Sequence, residues 1–296
     1  MKPFEYVAAR DSKHAVALLA EHGARARILA GGTDLLVELK DAKRPPGIVV
    51  DISRAVDLKG IALTEDGLRI GALVTHSEIM RSALVREHCP ALLEAAHSIG
   101  AVQTRNLATL GGNLMTCVPS MDSGPALSAL EAQVTVSGPD GQRRMPLAEL
   151  FVGPRKTSLA NGQLLVEIVI PKASLGKPAA FLKFGLRKGQ ALALVNAAAS
   201  LWVDHDRTTF IAPRIALGAV APTVIRAPKA EAFLAGLAIT LEAMDEAGRI
   251  AASEAKPISD FRASADYRSD LIAVLVKRAL ATAYARANEP LKERVS

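Results

Sequence analysis

The sequence is poor in cysteine and in aromatic residues. Cys89 and Cys117 are the two cysteines among 296 residues, which excludes a disulfide framework, a four-cysteine zinc site and an iron–sulfur cluster held by this chain alone. Aromatic residues make up 4% of the chain, so a base-stacking surface for nucleic acid is not expected. The six histidines lack metal-ligand spacing and no G-x-S-x-G motif occurs, so neither a metal site nor a serine hydrolase is predicted.

Long hydrophobic runs and long runs of one charge are also missing. The net charge is +6, but the basic residues are dispersed, which is typical of a solvated surface rather than of a nucleic-acid interface. The N-terminus has no apolar signal core, and apolar stretches such as 191–201 are far shorter than a membrane span. We therefore expect a cytoplasmic protein without a membrane span. The length and the 50% hydrophobic content predict two packed units.

The order of the predicted elements favours an α+β fold over a doubly wound sheet. The first 60 residues read as a small β/α unit, in which a short strand runs directly into a glycine turn. Residues 75–78 fit a helix capping box, and residues 132–145 read as a β-hairpin. After a boundary near 171–178, strands are predicted at 181–187, 193–203 and 208–219, followed by helices at 229–235, 240–254 and 269–288.

The first candidate site is the glycine pair in A-G-G-T-D at residues 30–34. Paired glycines after a strand expose successive backbone N–H groups and let a phosphate approach, and the Thr33 hydroxyl adds a donor. An ordinary strand–helix turn would explain the same residues. The motif is neither a Walker A loop nor a G-x-G-x-x-G fingerprint, so a P-loop and a Rossmann site are both poorly supported.

A second glycine pair occurs about 80 residues later, in T-L-G-G-N at residues 109–113. Thr109, Asn113 and Thr116 surround it with small polar groups that could bond the edges of a large cofactor; a glycine-kinked buried loop would explain the same residues equally well. Asp122 could accept bonds from ribose or ribityl hydroxyls, or could cap the following helix. Two such motifs in one chain favour a single ligand with a diphosphate.

These motifs, in this order and spacing, resemble the FAD-binding medium subunit of the molybdenum hydroxylase family, the xanthine dehydrogenase and carbon monoxide dehydrogenase type. Weaker matches extend the resemblance over essentially the whole chain; they are residues 3–6, 151–157, 181–183, 195–198, 265–268 and 278–279. The resemblance implies a two-subdomain FAD-binding fold of the vanillyl-alcohol-oxidase-like (PCMH) type, plus a C-terminal α+β domain. The domains would be 1–175, with subdomains of about 1–57 and 58–175, and 176–296.

The resemblance also implies roles for individual residues. The backbone of the first motif would hold the pyrophosphate, the second motif would contact the adenosine diphosphate half and the ribityl chain, and Lys183 would stabilise charge at the flavin edge. The expected FAD contacts are Leu29, Ala30, Gly31, Gly32, Thr33, Asp34, Ile99, Gly100, Thr109, Gly112, Asn113, Thr116, Asp122, Leu165, Lys183 and Leu192. No histidine or cysteine that could attach a flavin covalently lies at 29–34, and Cys117 is the only candidate in the segment of the second motif. Non-covalent FAD is therefore predicted.

Two departures from the family pattern bear on subtype. Two cysteines cannot hold the additional four-iron cluster of the hydroxybenzoyl-CoA type, which is therefore disfavoured. Pro154 stands where the family usually has a tyrosine, so any role of that ring is missing here.

The activity implied by the resemblance is electron relay with no catalytic acid, base or nucleophile on this chain. A large partner chain would carry the molybdenum cofactor, and a small partner chain two [2Fe–2S] clusters, in a dimer of heterotrimers. Electrons would pass through FAD to an external acceptor that the sequence does not identify, and the substrate pocket would belong to the large partner. The alternatives are a stand-alone flavin-dependent oxidase or reductase, and a non-catalytic nucleotide-binding assembly subunit.

Overall fold

The N-terminal part of the chain forms a small layered unit. The computed structural model of the protein describes residues 2–41 and 46–288. Its first elements are β1 (Glu5–Ala8), α1 (Ser12–His22), β2 (Ala26–Leu29), α2 (Leu35–Asp41) and β3 (Ile48–Asp51). Strand β3 is parallel to both β1 and β2 and lies between them. Helix α1 begins after its N-cap residue Asp11, whose carboxylate accepts from His14 N at 2.8 Å.

The middle part of the chain is built on an antiparallel sheet in the order β4-β5-β10-β6-β7, with β8 and β9 as a separate hairpin. The strands are β4 (Ile61–Thr64), β5 (Gly67–Gly71), β6 (Gln133–Gly138), β7 (Gly141–Pro146), β8 (Phe151–Gly153), β9 (Lys156–Thr157) and β10 (Leu164–Pro171). The predicted hairpin is the β6–β7 pair. Because β10 is central and mostly apolar, the largest core of the molecule forms around it.

Short helices cover this sheet between β5 and β6. They are α3 (His76–Arg81), α4 (Ala83–His88), α5 (Pro90–Ser98), α6 (Val102–Leu107), α7 (Leu110–Thr116) and α8 (Ser123–Ala129). The predicted capping box opens α3: Glu78 N donates to Thr75 Oγ1 at 3.2 Å, and Thr75 N donates to Glu78 Oε2 at 2.7 Å. The same bonds place the following residue, His76, at the start of a helix that packs into the core.

The C-terminal part is a second antiparallel sheet with helices on one face, so the α+β prediction is confirmed. Its elements are β11 (Ala179–Phe184), β12 (Val195–Val203), β13 (Phe210–Gly218), β14 (Ile225–Arg226), α9 (Pro228–Leu234), α10 (Leu241–Glu254) and α11 (Ala265–Asn288). Helix α11 buries Ile272, Val276, Ala279 and Ala283, spaced three and four residues apart, against the sheet. The opposite face, through Ala198 and Ala216, joins the core of the middle part.

Candidate functional site

The first glycine motif is a turn between β2 and α2. Leu29 is the last residue of β2, and Gly32 adopts a left-handed φ of +72°, which an L-amino acid with a side chain adopts only under strain. Gly32 O accepts from Leu36 N at 3.1 Å, which starts the helix. Ala30 to Thr33 are half-buried, and Asp34 is exposed. The first motif is therefore a glycine turn that follows a strand directly, as the sequence predicts.

The second glycine pair lies in a helix, so the expectation of a turn or kinked loop there is wrong. Thr109 is the N-cap of α7, and its hydroxyl accepts from Gly112 N at 3.0 Å. The Thr116 hydroxyl donates to Gly112 O at 2.9 Å. Packing explains the first glycine, because a Cβ on Gly111 would lie 2.7 Å from the carbonyl oxygen of Ala72. Glycine at this position lets the backbone of α7 lie close to Ala72, the residue after β5.

The two motifs meet in space. A Cβ on Gly31 would lie 1.9 Å from the carbonyl oxygen of Leu107, at the end of α6 just before the second motif. Ala108 O accepts from His76 N at 3.1 Å, which fixes the other side of the same segment. Because Gly31 has no side chain, the N-terminal unit can pack directly against the α6–α7 connection.

Both motifs line one cleft of about 680 Å³. Ten of the sixteen predicted cofactor contacts lie in its lining; they are Ala30, Gly31, Gly32, Thr33, Asp34, Thr109, Gly112, Asn113, Thr116 and Leu165. A Cβ on Gly112 would lie 2.9 Å from the Thr109 hydroxyl oxygen and within 4 Å of no other described neighbour. The backbone at Gly112 therefore faces open space. The remaining six predicted contacts lie outside this cleft lining.

Charged side chains that the sequence reasoning missed also line this cleft. The Glu38 carboxylate, on α2, accepts from Arg27 at 2.7 Å and from Arg155 at 2.6 Å. Arg155 comes from the turn between β8 and β9, so this contact bridges the two walls. Burial would raise the pKa of Glu38, but the two arginines lower it below its ordinary value. No local signal relates residues 117 positions apart.

Asp122 and Lys183 form a buried ion pair outside the cleft lining. Lys183 Nζ lies 2.5 Å from Asp122 Oδ2 and 3.1 Å from the carbonyl oxygen of Ser98. Asn196 Nδ2 donates to Asp122 Oδ1 at 2.8 Å. Burial raises the pKa of Asp122, and the bonds from Lys183 and Asn196 oppose that shift. Asp122 precedes α8 at the N-cap position, but its side chain makes no capping bond.

Four further predicted contacts lie around this pair or at the first turn. Ile99 is buried, and Gly100 O accepts from Gln190 N at 3.1 Å, which ties the segment 185–194 to the end of α5. Leu192 is 54% exposed on that segment. Leu29 packs its side chain against the Gly32 turn, 3.0 Å from where a Cβ would stand.

His76, the first residue of α3, packs its side chain into the core. The side chain is fully buried, and neither ring nitrogen has a hydrogen-bond partner among the described residues. Burial, and to a smaller extent the charge of Arg105, lowers the pKa of His76 to about 4. The imidazole is therefore neutral at physiological pH. A capping box marks where a helix starts, not which face it buries, so the sequence carried no sign of this.

Cysteine and metal chemistry are not supported within the described residues. Cys117, in a left-handed conformation at the end of α7, donates its thiol toward the carbonyl oxygens of Gly153 and Lys156, both at 3.4 Å. Burial raises the pKa of the Cys117 thiol, and raises that of Cys89 to about 12. Within 2–41 and 46–288, no cluster of three metal-ligating side chains occurs, and none of the helices has the length and hydrophobicity of a membrane span.

Comparison with known proteins assigns both halves of the chain. Residues 2–173 match the family described as the FAD binding domain in molybdopterin dehydrogenase, and residues 180–283 match the CO dehydrogenase flavoprotein C-terminal domain. The chain is 36% identical to the carbon monoxide dehydrogenase medium chain of Hydrogenophaga pseudoflava, over 96% of this chain and 98% of the relative. It is 33% identical to the xanthine dehydrogenase FAD-binding subunit of Escherichia coli O157:H7, over 94% and 95%.

The fold is shared with these relatives. The solved carbon monoxide dehydrogenase of Hydrogenophaga pseudoflava that lacks the Mo-pyranopterin moiety superimposes with a TM-score of 0.91 at 36% identity, covering 97% of this chain and 99% of the other. Fold and cleft thus define an FAD-binding oxidoreductase subunit. More particularly, the chain belongs to the family of FAD-binding medium subunits of molybdenum hydroxylases, with carbon monoxide dehydrogenase and xanthine dehydrogenase among its members.

Proposed function

We propose that the cleft between the two glycine motifs holds non-covalent FAD and that this chain relays electrons through it. The observation that carries the proposal is the convergence of Gly31–Gly32 and Gly111–Gly112 on one cleft. The cleft volume lies within the range of small-molecule and cofactor sites. The backbone at Gly112 opens into it, and no histidine or cysteine at 29–34 could attach a flavin. The residues present fit the group.

Within this proposal, the first motif would bind the diphosphate. Backbone N–H groups of Gly31 to Asp34 and the Thr33 hydroxyl are donors at the start of α2, and anions are favoured at such helix starts. Arg27 and Arg155 add positive charge on the two walls of the cleft. The Thr109 hydroxyl already accepts a bond from Gly112 N, so it can offer a ligand its proton.

The buried Asp122–Lys183 pair would serve the ring end of the cofactor. FAD supplies the ability to accept and release electrons singly or in pairs. The Lys183 ammonium, on a side chain that is 10% exposed, lies 3.1 Å from the Ser98 carbonyl oxygen, where it would stabilise added negative charge on a neighbouring group. Asp122 and Asn196 hold that ammonium in place. Ile99, Leu165 and Leu192 would contact the ring system.

The partner chains are part of the proposal, and the family assignment supports them. A small chain with two [2Fe–2S] clusters would deliver electrons, a large chain with the molybdenum cofactor would hydroxylate the substrate, and the complex would be a cytoplasmic dimer of heterotrimers. The proposed domains are 1–175, with subdomains near 1–57 and 58–175, and 176–296. The separate sheets support these boundaries. The first sheet ends at Asp51, the second runs from Ile61 to Pro171, and the third begins at Ala179.

Co-purification from the native source tests the proposal. An affinity tag on this chain should bring down one large and one small chain, with molybdenum, iron and FAD in stoichiometric amounts. Gly32→Val and Gly112→Val should lose FAD and keep the partners' metals, whereas the control Gly236→Val, at a similar left-handed glycine outside the cleft, should keep all three. Full flavin content in both cleft variants would reject the site. Substrate turnover by the chain alone would favour the stand-alone flavoenzyme, and no FAD uptake the non-catalytic subunit.

A further inference from the structure

The first turn of α11 contacts the end of β11, which carries Lys183, and the start of β12, which carries Asn196. Arg268 is 3% exposed, and its Nη1 donates to the carbonyl oxygen of Leu194 at 2.7 Å. In the same turn, the ring of Tyr267 packs edge-on against Phe184 with centroids 6.3 Å apart. Leu194 directly precedes β12 and Phe184 ends β11, so one helical turn holds both sides of the connection 185–194.

Phe184 and Leu194, the residues that this turn contacts, lie next to the buried ion pair in the β11–β12 ladder. Leu194 N donates to Phe184 O at 2.8 Å, and the next pairs in the ladder are Phe184 with Val195 and Lys183 with Asn196. Lys183 and Asn196 therefore stand opposite each other on neighbouring strands, and their side chains both bond Asp122. A displacement of Leu194 along the strand moves Asn196 by the same amount, because the backbone between them is continuous extended chain.

Arg268 is itself held by a preorganised carboxylate. Asp260 Oδ1 accepts from Arg268 Nη2 at 2.9 Å and from the backbone N–H of Arg262 at 2.9 Å, and its Oδ2 accepts from Arg262 Nη1 at 2.9 Å. These bonds lower the pKa of Asp260 to about 2, so it remains charged at any working pH. The planar guanidinium bonds two acceptors in a fixed fork, which a lysine ammonium cannot reproduce.

We propose that Arg268, oriented by Asp260, is a positioning residue for the Asp122–Lys183–Asn196 cluster, and that it thereby sets how strongly this chain favours reduced over oxidised flavin. The inference rests on the proposed function. Arg268 acts through Leu194 and the β11–β12 ladder rather than by contact with the cofactor. Without it, the strand ends lose their anchor, and the ammonium of Lys183 moves relative to Asp122 and to the Ser98 carbonyl.

The test measures the dissociation constants of oxidised and of chemically reduced FAD on the full-length chain, anaerobically. We expect Arg268→Gln to change the ratio of the two constants at least threefold; a tenfold change corresponds to about 30 mV for a two-electron couple. Arg268→Lys should restore part of the effect because one charged bond remains. In the Lys183→Met background, Arg268→Gln should add nothing further to the ratio, since the two residues act in one chain of contacts.

A matched control separates positioning from plain stability. Glu231→Gln changes another buried carboxylate of the C-terminal part, on α9, which accepts from Ile215 N and from Arg226 and has no described hydrogen bond to residues 185–194. It should lower the melting temperature and leave the ratio of constants unchanged. Should Arg268→Gln prove insoluble, Asp260→Asn, which keeps the arginine, should shift the ratio in the same direction.

Three outcomes decide between the proposals. If Arg268→Gln lowers the melting temperature as Glu231→Gln does and leaves the ratio unchanged, the positioning role is wrong while the FAD site stands. If its effect on the ratio is the same in the Lys183→Met background as in the wild type, the path through Lys183 is wrong. If the wild-type chain does not bind FAD at all, the proposed function fails, and this inference fails with it.

Discussion

Gly31 lies directly against the carbonyl oxygen of Leu107, where a Cβ would stand only 1.9 Å away. The contact joins the turn after β2 to the α6–α7 connection, and so it sets the distance between the two walls of the cleft. Neither partner atom belongs to a flexible side chain, so the structure can accommodate a larger residue only by moving backbone.

Gly31→Ala should therefore separate the walls and weaken FAD binding strongly, by tenfold or more in the dissociation constant. The measurement is a flavin fluorescence titration of the refolded chain. The matched control is Gly236→Ala, at a φ of +80° with no described atom within 4 Å of the added Cβ, which carries backbone strain but no clash. Equal flavin affinity in the two variants would contradict the role given to the contact.

The bridge between Glu38 and Arg155 predicts an electrostatic effect on the same affinity. Glu38→Gln removes a negative charge from the cleft and frees two arginines, so binding of the anionic cofactor should tighten several-fold and become more sensitive to salt. Arg155→Gln should weaken binding. Titrations at low and at high salt test both, with Arg249→Gln on the distant helix α10 as the control. A Glu38→Gln variant that binds FAD more weakly than wild type would contradict the prediction.

Replacing only one partner of the buried Asp122–Lys183 pair should lower the free energy of unfolding substantially. Lys183→Met leaves a carboxylate that is 5% exposed without its cation, and this should lower the free energy of unfolding by about 3 kcal/mol. The double variant Asp122→Asn with Lys183→Met should recover much of that loss. Urea unfolding gives both numbers, and Asp66→Asn, which breaks an exposed pair with Arg144, should change stability by less than about 1 kcal/mol. Additive single effects would show that the pair is not coupled.

His76 predicts a specific loss of stability in mild acid. Its pKa is about 4 in the folded chain, against about 6.5 when unfolded, so the unfolded state binds more protons between these values. The free energy of unfolding should fall as the pH drops from 6.5 toward 4, by up to about 3 kcal/mol, and be unaffected above 6.5. His76→Leu should flatten this part of the profile, whereas His205→Gln, at an exposed site, should not. Parallel profiles for His76→Leu and wild type would contradict it.

Local chemistry explains what the sequence could predict. The Thr75–Glu78 capping box, the Gly32 turn and the β6–β7 hairpin each depend on residues within a few positions, and the structure has all three. The second glycine motif was misread because glycine disfavours helices, while here the close approach of α7 to Ala72 outweighs that preference. A glycine in a sequence can be required either by a turn or by close packing, and the sequence alone does not distinguish the two.

The charged contacts could not be predicted because they depend on how distant elements pack. Lys183 reaches Asp122 across 61 positions, and Arg268 reaches Leu194 across 74. Each pair is brought together by strand register and by the docking of a helix, which no spacing rule encodes. The residue types were visible in the sequence, and their partners were visible only in the fold.

The two buried thiols bear on how such a chain would withstand oxidants. Cys89 and Cys117 are almost completely shielded from solvent, and burial keeps both protonated at neutral pH, whereas peroxide attacks the thiolate form. A flavin subunit of the kind proposed above would form reactive oxygen species next to its own side chains when its reduced cofactor meets oxygen. This one presents no reactive sulfhydryl to them, so its lifetime under aerobic turnover would be set by damage elsewhere, methionine included, and not by its cysteines.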